Sequence, residues 1–207
     1  DIPLYVDPFL LWKSPSQQDN ALYTTITNSF NHLNYLIKKK QEDEALSILI
    51  DISECHEVGL GVSKTRKGTK ISKKQAQDIL SLFKDIPEYS QFGFTHFEII
   101  QLYISGISKD RISDITCNYL KSFLIDYTIE QCEINKIPTE GVILDSIYNY
   151  KTNKLDTNQK VYLPVNPLTK EPLIFTPKRW LRFNTWINYE DYFQKYCPRD
   201  EIFNPNE

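Results

Sequence analysis

Six positively charged side chains lie within eleven residues, from Lys64 to Lys74, in a chain whose formal net charge is −3. They are Lys64, Arg66, Lys67, Lys70, Lys73 and Lys74. No acidic residue interrupts them, so removing these six charges from −3 leaves −9 on the rest of the chain. Concentrated lysine and arginine give affinity for phosphates without sequence specificity. The segment therefore predicts an anion-binding surface whose partner is nucleic acid or a phosphorylated ligand.

Four carboxylates offer a different chemistry. Glu54 and Glu57 are three residues apart just before the basic segment, and Asp110 and Asp114 are four apart further along the chain. On a helix, either spacing puts both carboxylates on one face, where they could hold a divalent cation such as Mg²⁺. Such a set would serve a metal-dependent phosphodiesterase or nuclease. The alternative for the first pair is a solvated helix end that leads into a cationic surface loop.

Arg111 lies in a segment, Gly106 to Asp114, that has the composition of a helix start. Free amide groups at a helix N-terminus attract anions, and an arginine can donate two hydrogen bonds to one anion. Arg111 is therefore included among the predicted anion contacts. Ordinary capping accounts for the same pattern: Ser108 or Asp110 would be the N-cap, and Asp114 would complement the helix dipole.

Common catalytic motifs are missing from the sequence. The stretch from Gly59 to Thr65 resembles a P-loop, but Ser63 occupies the position where the motif requires glycine. No aspartate or glutamate stands two positions before any lysine, which excludes the usual restriction-nuclease pattern. The three histidines form no paired metal motif. The sequence therefore assigns no metal ligand outright, and Mg²⁺ belongs only to the enzyme alternative.

A weaker candidate is the stretch from Lys178 to Trp186, in which aromatic and cationic residues alternate. Such a stretch could stack bases and hold phosphates. Burial of Trp180, Phe183 and Trp186, with the cations at the rim, is the alternative that we favour. An aromatic C-terminal part of this kind could also dock a protein partner.

The four cysteines are widely spaced and include no C-x-x-C pair, which is typical of free thiols in a reducing compartment. No run of about 20 apolar residues is present, so no membrane span is expected. The sequence thus predicts a cytoplasmic protein. The chain begins at Asp1 and contains no methionine, which is typical of a fragment or a processed chain.

Hydrophobic periodicity predicts mainly helices up to residue 138 and shorter strands after it. Six helices are predicted up to residue 138. The first is capped by Asp19 or Asn20, the second covers 45–50, the third follows an N-cap at Ser72, and the fourth starts from a capping box of Thr95 and Glu98. The fifth and longest extends from Ile112 to Tyr127, and a further piece runs from Thr128 to Asn135. The predicted strands are an edge strand near the N-terminus, Val142–Tyr148, Lys160–Val165 and Leu173–Thr176, the last two joined as a hairpin, before a closing helix at Tyr189–Tyr196. The fold class is therefore α+β, with a helical part at 1–138 and a β-rich part at 139–207, which could form one continuous domain.

Several stretches together resemble uncharacterised bacterial proteins associated with mobile elements and phage defence. These stretches are Glu54 to Ser63, Gly106 to Thr116, Tyr127 to Cys132 and Leu173 to Lys178. The resemblance covers most of residues 1–195. It implies a defence-related setting and relatives that continue beyond Glu207, but it names no activity.

Together, these features favour a bacterial anion-binding or nucleic-acid-binding module. A metal-dependent nuclease that uses the four carboxylates is the main alternative, and a scaffold for a protein partner is the third. Convergence of the carboxylates in the fold would distinguish the enzyme from the other two.

Overall fold

The computed structural model describes residues 4–60 and 68–183. In these ranges eight α-helices precede a β-hairpin, and a second, two-stranded sheet pairs the two ends of the described chain. The α+β class predicted from the sequence is confirmed. The helices are α1 (Pro8–Trp12), α2 (Gln17–Lys38), α3 (Glu42–Asp51), α4 (Lys73–Asp85), α5 (Pro87–Phe92), α6 (Ile100–Tyr103), α7 (Lys109–Tyr119) and α8 (Lys121–Asn135). The strands are β1 (Tyr5–Val6), β2 (Glu140–Asn149), β3 (Lys154–Leu163) and β4 (Leu181–Arg182).

The apolar periodicity predicts helices α2, α3 and α4 well, because their buried faces recur every three or four residues. Helix α4 begins after Ser72, whose hydroxyl accepts from the Gln75 amide while the Gln75 side chain binds back in a capping box. The predicted cap of α2 is wrong by several residues, since the N-cap is Ser16. Asp19 is fully buried and pairs with Arg179 instead.

Two other helix predictions are wrong in part. The stretch from Ile112 to Tyr127 is not one helix, because α7 ends at Tyr119 and α8 begins at Lys121; α2, with 22 residues, is longer than either. The predicted short helix to about Ile104 is present as a 3₁₀ turn at 97–99 followed by α6, but its predicted capping box is wrong, because the N-cap is His96 and no side chain caps the turn. Glu98 is instead buried, and the hydroxyl of Tyr23 donates to it.

The main hairpin joins β2 to β3, which pair antiparallel from Glu140↔Leu163 to Asn149↔Lys154. The predicted pairing of residues 160–165 with 173–176 is present only next to the turn that joins them, and residues 173–176 form no strand. An isolated antiparallel bridge, Val165↔Pro172, closes the 166–171 turn, and the amide of Leu173 donates to the carbonyl oxygen of Pro164 at 2.8 Å. The predicted N-terminal edge strand is present as β1, which pairs with β4. The predicted helix at Tyr189–Tyr196 lies outside the described residues.

The core contains side chains from both predicted parts of the chain. Phe30 of α2 lies within 5.3–5.8 Å, between ring centroids, of Phe83, Phe94 and Phe97. Tyr148 of β2 packs edge-on against Tyr119 of α7 at 4.8 Å. These contacts place the hairpin directly on the helices. No helix of the described residues is long and apolar enough to cross a membrane.

Candidate functional site

Arg111, in the first turn of α7, connects three segments of the chain. Its Nη1 donates to the carbonyl oxygen of Ser53 and, at 3.1 Å, to Oε2 of Glu54. Its Nη2 donates to the carbonyl oxygen of Thr69 at 2.5 Å. Nη1 also lies 3.6 Å from Oδ2 of Asp114. With only 14% of its side chain exposed, Arg111 is committed to these internal partners.

The C-terminal end of the basic segment is held against this arginine. The amide of Gly68 donates to Oε1 of Glu54 at 3.0 Å, and the amide of Ile71 donates to Oγ of Ser53 at 3.0 Å. A Cβ atom at position 68 would collide with the Glu54 carboxylate. Glycine at this position is therefore needed for the close approach of the two segments.

The predicted anion contacts occupy different environments. Lys64, Arg66 and Lys67 lie outside the described residues. Lys70 forms an ion pair with Asp51 at 2.5 Å, with both side chains partly exposed. Lys73 and Lys74 are exposed in the first turn of α4, and neither forms an ion pair with a residue of the described ranges.

Three of the four predicted carboxylates surround Arg111. Burial, then the charges of Glu54 and Asp110, raise the pKa of Asp114 to about 8, against the opposing charge of Arg111. Burial also raises the pKa of Asp110, and Glu54 adds to that shift. One guanidinium thus faces three acidic groups. The raised pKa of Asp114 favours its protonated form, which reduces the negative charge around Arg111.

Glu57 is separated from the other three carboxylates. Its Oε1 lies 2.9 Å from the ammonium of Lys121, and both side chains are buried. Glu54 and Glu57 follow α3, which ends at Asp51, so the predicted shared helical face does not exist. The residues in the described ranges contain no group of three or more histidine, cysteine, aspartate or glutamate side chains placed to hold a metal ion.

The predicted interaction of the Asp114 charge with the helix dipole is also wrong. Helix α7 begins at Lys109 after Ser108, so Asp114 is the sixth helical residue and lies beyond the first turn. The dipole effect is confined to the terminal turn. Asp114 instead accepts a hydrogen bond from the backbone of Cys55.

The burial predicted for the aromatic residues after Lys178 is confirmed for Trp180 and is wrong for Phe183. Trp180 is fully buried, and Arg179 binds the buried Asp19 through two hydrogen bonds of 2.9 and 2.7 Å. Phe183, by contrast, is 57% exposed. Trp186 lies outside the described residues.

Two buried polar clusters were missed by the sequence reasoning. In the first, Lys121 and Glu57 lie beside the thiol of Cys55, whose Sγ is 3.7 Å from Glu57. In the second, the Tyr23 hydroxyl lies 2.6 Å from Nδ1 of His96 and 3.3 Å from Oε1 of Glu98. Each cluster contains two residues that are close in sequence and one that only the tertiary fold brings to them, Lys121 in the first and Tyr23 in the second. Local spacing therefore does not predict either cluster.

The fold and this site define a small α+β protein with an arginine-anchored basic segment. The chain belongs to a family described as a domain of unknown function, DUF8370, whose model matches residues 1–188. No curated protein and no solved structure matches the chain significantly.

Proposed function

We propose that this protein binds nucleic acid or another phosphate-rich polyanion through the basic segment from Lys64 to Lys74. The setting proposed for this activity is the bacterial cytoplasm. A role in defence is part of the proposal, and it rests on the sequence resemblance.

The observation that carries the proposal is the placement of Lys73 and Lys74. Both side chains are exposed in the first turn of α4, where no acidic residue is present. Positive charges are unfavourable there, because the helix N-terminus carries a partial positive charge. A bound phosphate would compensate the lysines and the helix end together. Two lysines at a helix start are thus better explained by an anionic ligand than by helix stability.

The anchoring contacts support the same proposal. Arg111 and Glu54 fix residues 68–71, so the start of α4 has a defined position on the surface. Arg111 thereby acts as a positioning residue instead of a phosphate contact. Lys70 can still reach a phosphate, because an exposed ion pair such as that with Asp51 contributes only about 0–1 kcal/mol.

The experiment compares two variants of equal charge. Binding of a fluorescein-labelled random-sequence DNA duplex is measured by anisotropy across a salt series. The double variant Lys73→Glu/Lys74→Glu should bind more weakly, and its salt slope should fall by about 2, one counterion per lost phosphate contact. The matched control, Lys136→Glu/Lys170→Glu, changes two exposed lysines elsewhere on the chain. Equal losses of DNA affinity in the two variants would show that only the net charge of the protein matters, and this would refute the proposal.

A metal-dependent phosphodiesterase is the second candidate, favoured by the acidic groups around Arg111. Burial raises the pKa of Asp114 to about 8, and the charges of Glu54 and Asp110 add to that shift. A divalent cation would neutralise this set, so Mg²⁺ or Mn²⁺ should raise the melting temperature. Asp114→Asn should abolish that increase. An unchanged melting temperature with both metals removes this candidate.

A further inference from the structure

A groove of about 420 Å³ lies between α2 and the turn that joins β2 to β3. Helix α2 contributes Asn28, His32 and Tyr35, which are spaced by four and three residues and so share one face. The turn contributes Tyr150 and Asn153 from the opposite side. The volume falls within the range of small-molecule sites. None of these residues belongs to the basic segment.

Contacts beneath the groove hold its walls in place. The side chain of Asn31 binds the backbone of Phe94 in both directions, at 2.8 and 2.7 Å, which fixes this part of α2. On the other wall, the Tyr148 hydroxyl donates to Oδ1 of Asn153 at 2.9 Å. Because that oxygen is engaged, the NH₂ group of Asn153 is the end left for a ligand.

Several polar groups of the lining have no hydrogen-bond partner among the residues that the structure describes. The amide of Asn28, both ring nitrogens of His32 and the hydroxyls of Tyr35 and Tyr150 form no hydrogen bond with any residue in the described ranges. Burial lowers the pKa of His32, against the weaker opposing effect of Glu44. The imidazole is therefore neutral at pH 7 and offers one donor and one acceptor. Amides and a neutral imidazole can recognise the edge of a heterocyclic base.

The two tyrosine rings have different roles in the groove. The Tyr35 ring is stacked on His32 at 5.3 Å, with Nζ of Lys39 5.6 Å from its centroid. The Tyr150 ring is 45% exposed and contacts no other ring in the described ranges. Nζ of Lys151 lies 6.0 Å from the Tyr150 centroid. The open Tyr150 ring offers stacking for a base, and the ammonium groups of Lys151 and Lys39, one beside each tyrosine ring, offer charge for a phosphate.

We propose that this groove binds a nucleotide. The base stacks on Tyr150, the free ends of Asn28, Asn153 and His32 recognise its edge, and the phosphate lies near Lys39 and Lys151. The inference goes beyond polyanion binding by the basic segment, because it needs a base as well as a phosphate. It also requires none of the residues from 64 to 74.

The test is a titration of the full chain with AMP, followed by amide chemical shifts, because asparagine amides match the adenine edge. We expect shifts clustered at α2 and residues 150–153. Tyr150→Ala should weaken AMP binding about tenfold, the usual contribution of one base–aromatic stack. Tyr162→Ala is the matched control, since Tyr162 is also exposed, has Lys160 at 5.9 Å from its ring, and lies outside the groove.

Further ligands separate the alternatives. Adenosine should bind at the same residues more weakly than AMP, and inorganic phosphate alone should fail to displace AMP. A ten-residue oligoadenylate that binds more tightly than AMP assigns the groove to a strand, and equal affinity assigns it to the free nucleotide. Lys73→Glu/Lys74→Glu should leave AMP affinity unchanged, so the two proposals fail separately. Absence of shifts with AMP, displacement by phosphate, or equal affinity of Tyr150→Ala and the parent chain overturns the inference.

Discussion

The ammonium of Lys121 lies 2.9 Å from a carboxylate oxygen of Glu57, and the two side chains are only 4% and 2% exposed. Burial opposes both charges. The charge of Lys121 nevertheless lowers the pKa of Glu57, and the neighbouring acidic groups Cys55 and Glu57 raise that of Lys121. Both groups therefore remain charged. Lys121 also donates to the carbonyl oxygen of Ser146 in β2, so the pair links the loop after α3 to the hairpin.

Removing one member of this pair should strongly destabilise the fold. Lys121→Met leaves the Glu57 carboxylate buried without a counter-charge, and we expect a loss of about 3–5 kcal/mol in the free energy of unfolding. The double variant Lys121→Met/Glu57→Leu should recover most of that loss, because no charge then remains buried. Urea unfolding of the two single variants and the double variant measures this. Additive losses would show that the two charges are not coupled.

Glu98 should make the protein less stable as pH rises from acidic to neutral. Burial, aided by the charge of Asp7, raises the pKa of Glu98 to about 7. Because this folded-state pKa lies above the unfolded value, its contribution to stability is complete at low pH and is lost as pH rises towards 7. Glu98→Gln should remove this loss and stabilise the protein at pH 8 by about 3 kcal/mol, the free-energy equivalent of the pKa shift.

The control for Glu98 is Glu88→Gln, a change in the first turn of the short helix α5. It should not reproduce the pH-dependent gain. His96, whose pKa burial lowers, stays neutral above pH 7 and cannot supply the same effect. Parallel stability–pH curves for the parent chain and Glu98→Gln would contradict a buried, proton-binding Glu98.

Sequence periodicity predicts α4 with its cap because all the information is local: Ser72, the Gln75 that completes the box, and an apolar face. It fails at Leu120, where the chain turns between α7 and α8, because apolar residues continue at helical spacing through the break. The same limit applies to β3, where alternation identifies a strand but does not say whether residues 140–149 or 173–176 will pair with it.

The break at Leu120 changes which residue of α8 supports the core. Leu124 is 1% exposed, whereas Phe123 is only partly buried, and the centroid of its ring lies 5.6 Å from that of Trp180. Leu124→Ala should therefore cost about 2–5 kcal/mol. Phe123→Ala should cost less, because it removes an aromatic ring that already contacts solvent. Chemical unfolding of both variants gives the comparison, and a larger loss for Phe123→Ala would contradict this assignment.

The candidate site was only partly predictable for a related reason. The four carboxylates do not converge as the enzyme hypothesis requires, because Glu57 faces Lys121 and no three acidic, histidine or cysteine side chains of the described residues are placed to hold a metal ion. Two side chains that are three residues apart share a face only when both residues belong to a helix. Since the helix before Glu54 ends at Asp51, the direction of each carboxylate depends on its tertiary partner: Arg111 for one and Lys121 for the other.

Asp114 should respond to pH in the same sense as Glu98. Its folded-state pKa of about 8 lies above its ordinary value of 3.8, so its stabilising contribution is lost between about pH 4 and pH 8. Asp114→Asn resembles the protonated form and should raise the melting temperature at pH 8.5 with little change at pH 4. Thermal unfolding at both values checks this. Equal effects at the two pH values would show that folding does not raise the pKa of Asp114.

Gly68 provides a test of whether the contacts of Glu54 and Arg111 with residues 68–71 support DNA binding. In Gly68→Ala the new Cβ displaces the Glu54 carboxylate, which loses its bond to the Gly68 amide and its position beside Arg111. We expect a loss of about 1–2 kcal/mol in unfolding free energy, the usual cost of one or two such hydrogen bonds. Gly141→Ala is the control, because its Cβ would come closest to the flexible end of the Lys160 side chain and would make an ordinary contact of 3.6 Å with the Tyr162 ring.

The variant should also weaken DNA binding, although every lysine and arginine remains. Glu54 and Arg111 hold residues 68–71, and these residues set where Lys73 and Lys74 stand at the start of α4. A segment freed from this anchor must be ordered again when it binds, which costs conformational entropy. The salt slope should stay the same, because the number of phosphate contacts is unchanged. Anisotropy titrations across salt concentrations distinguish the two quantities: weaker binding at a constant slope supports the anchoring role, whereas unchanged affinity would show that Glu54 and Arg111 serve stability alone.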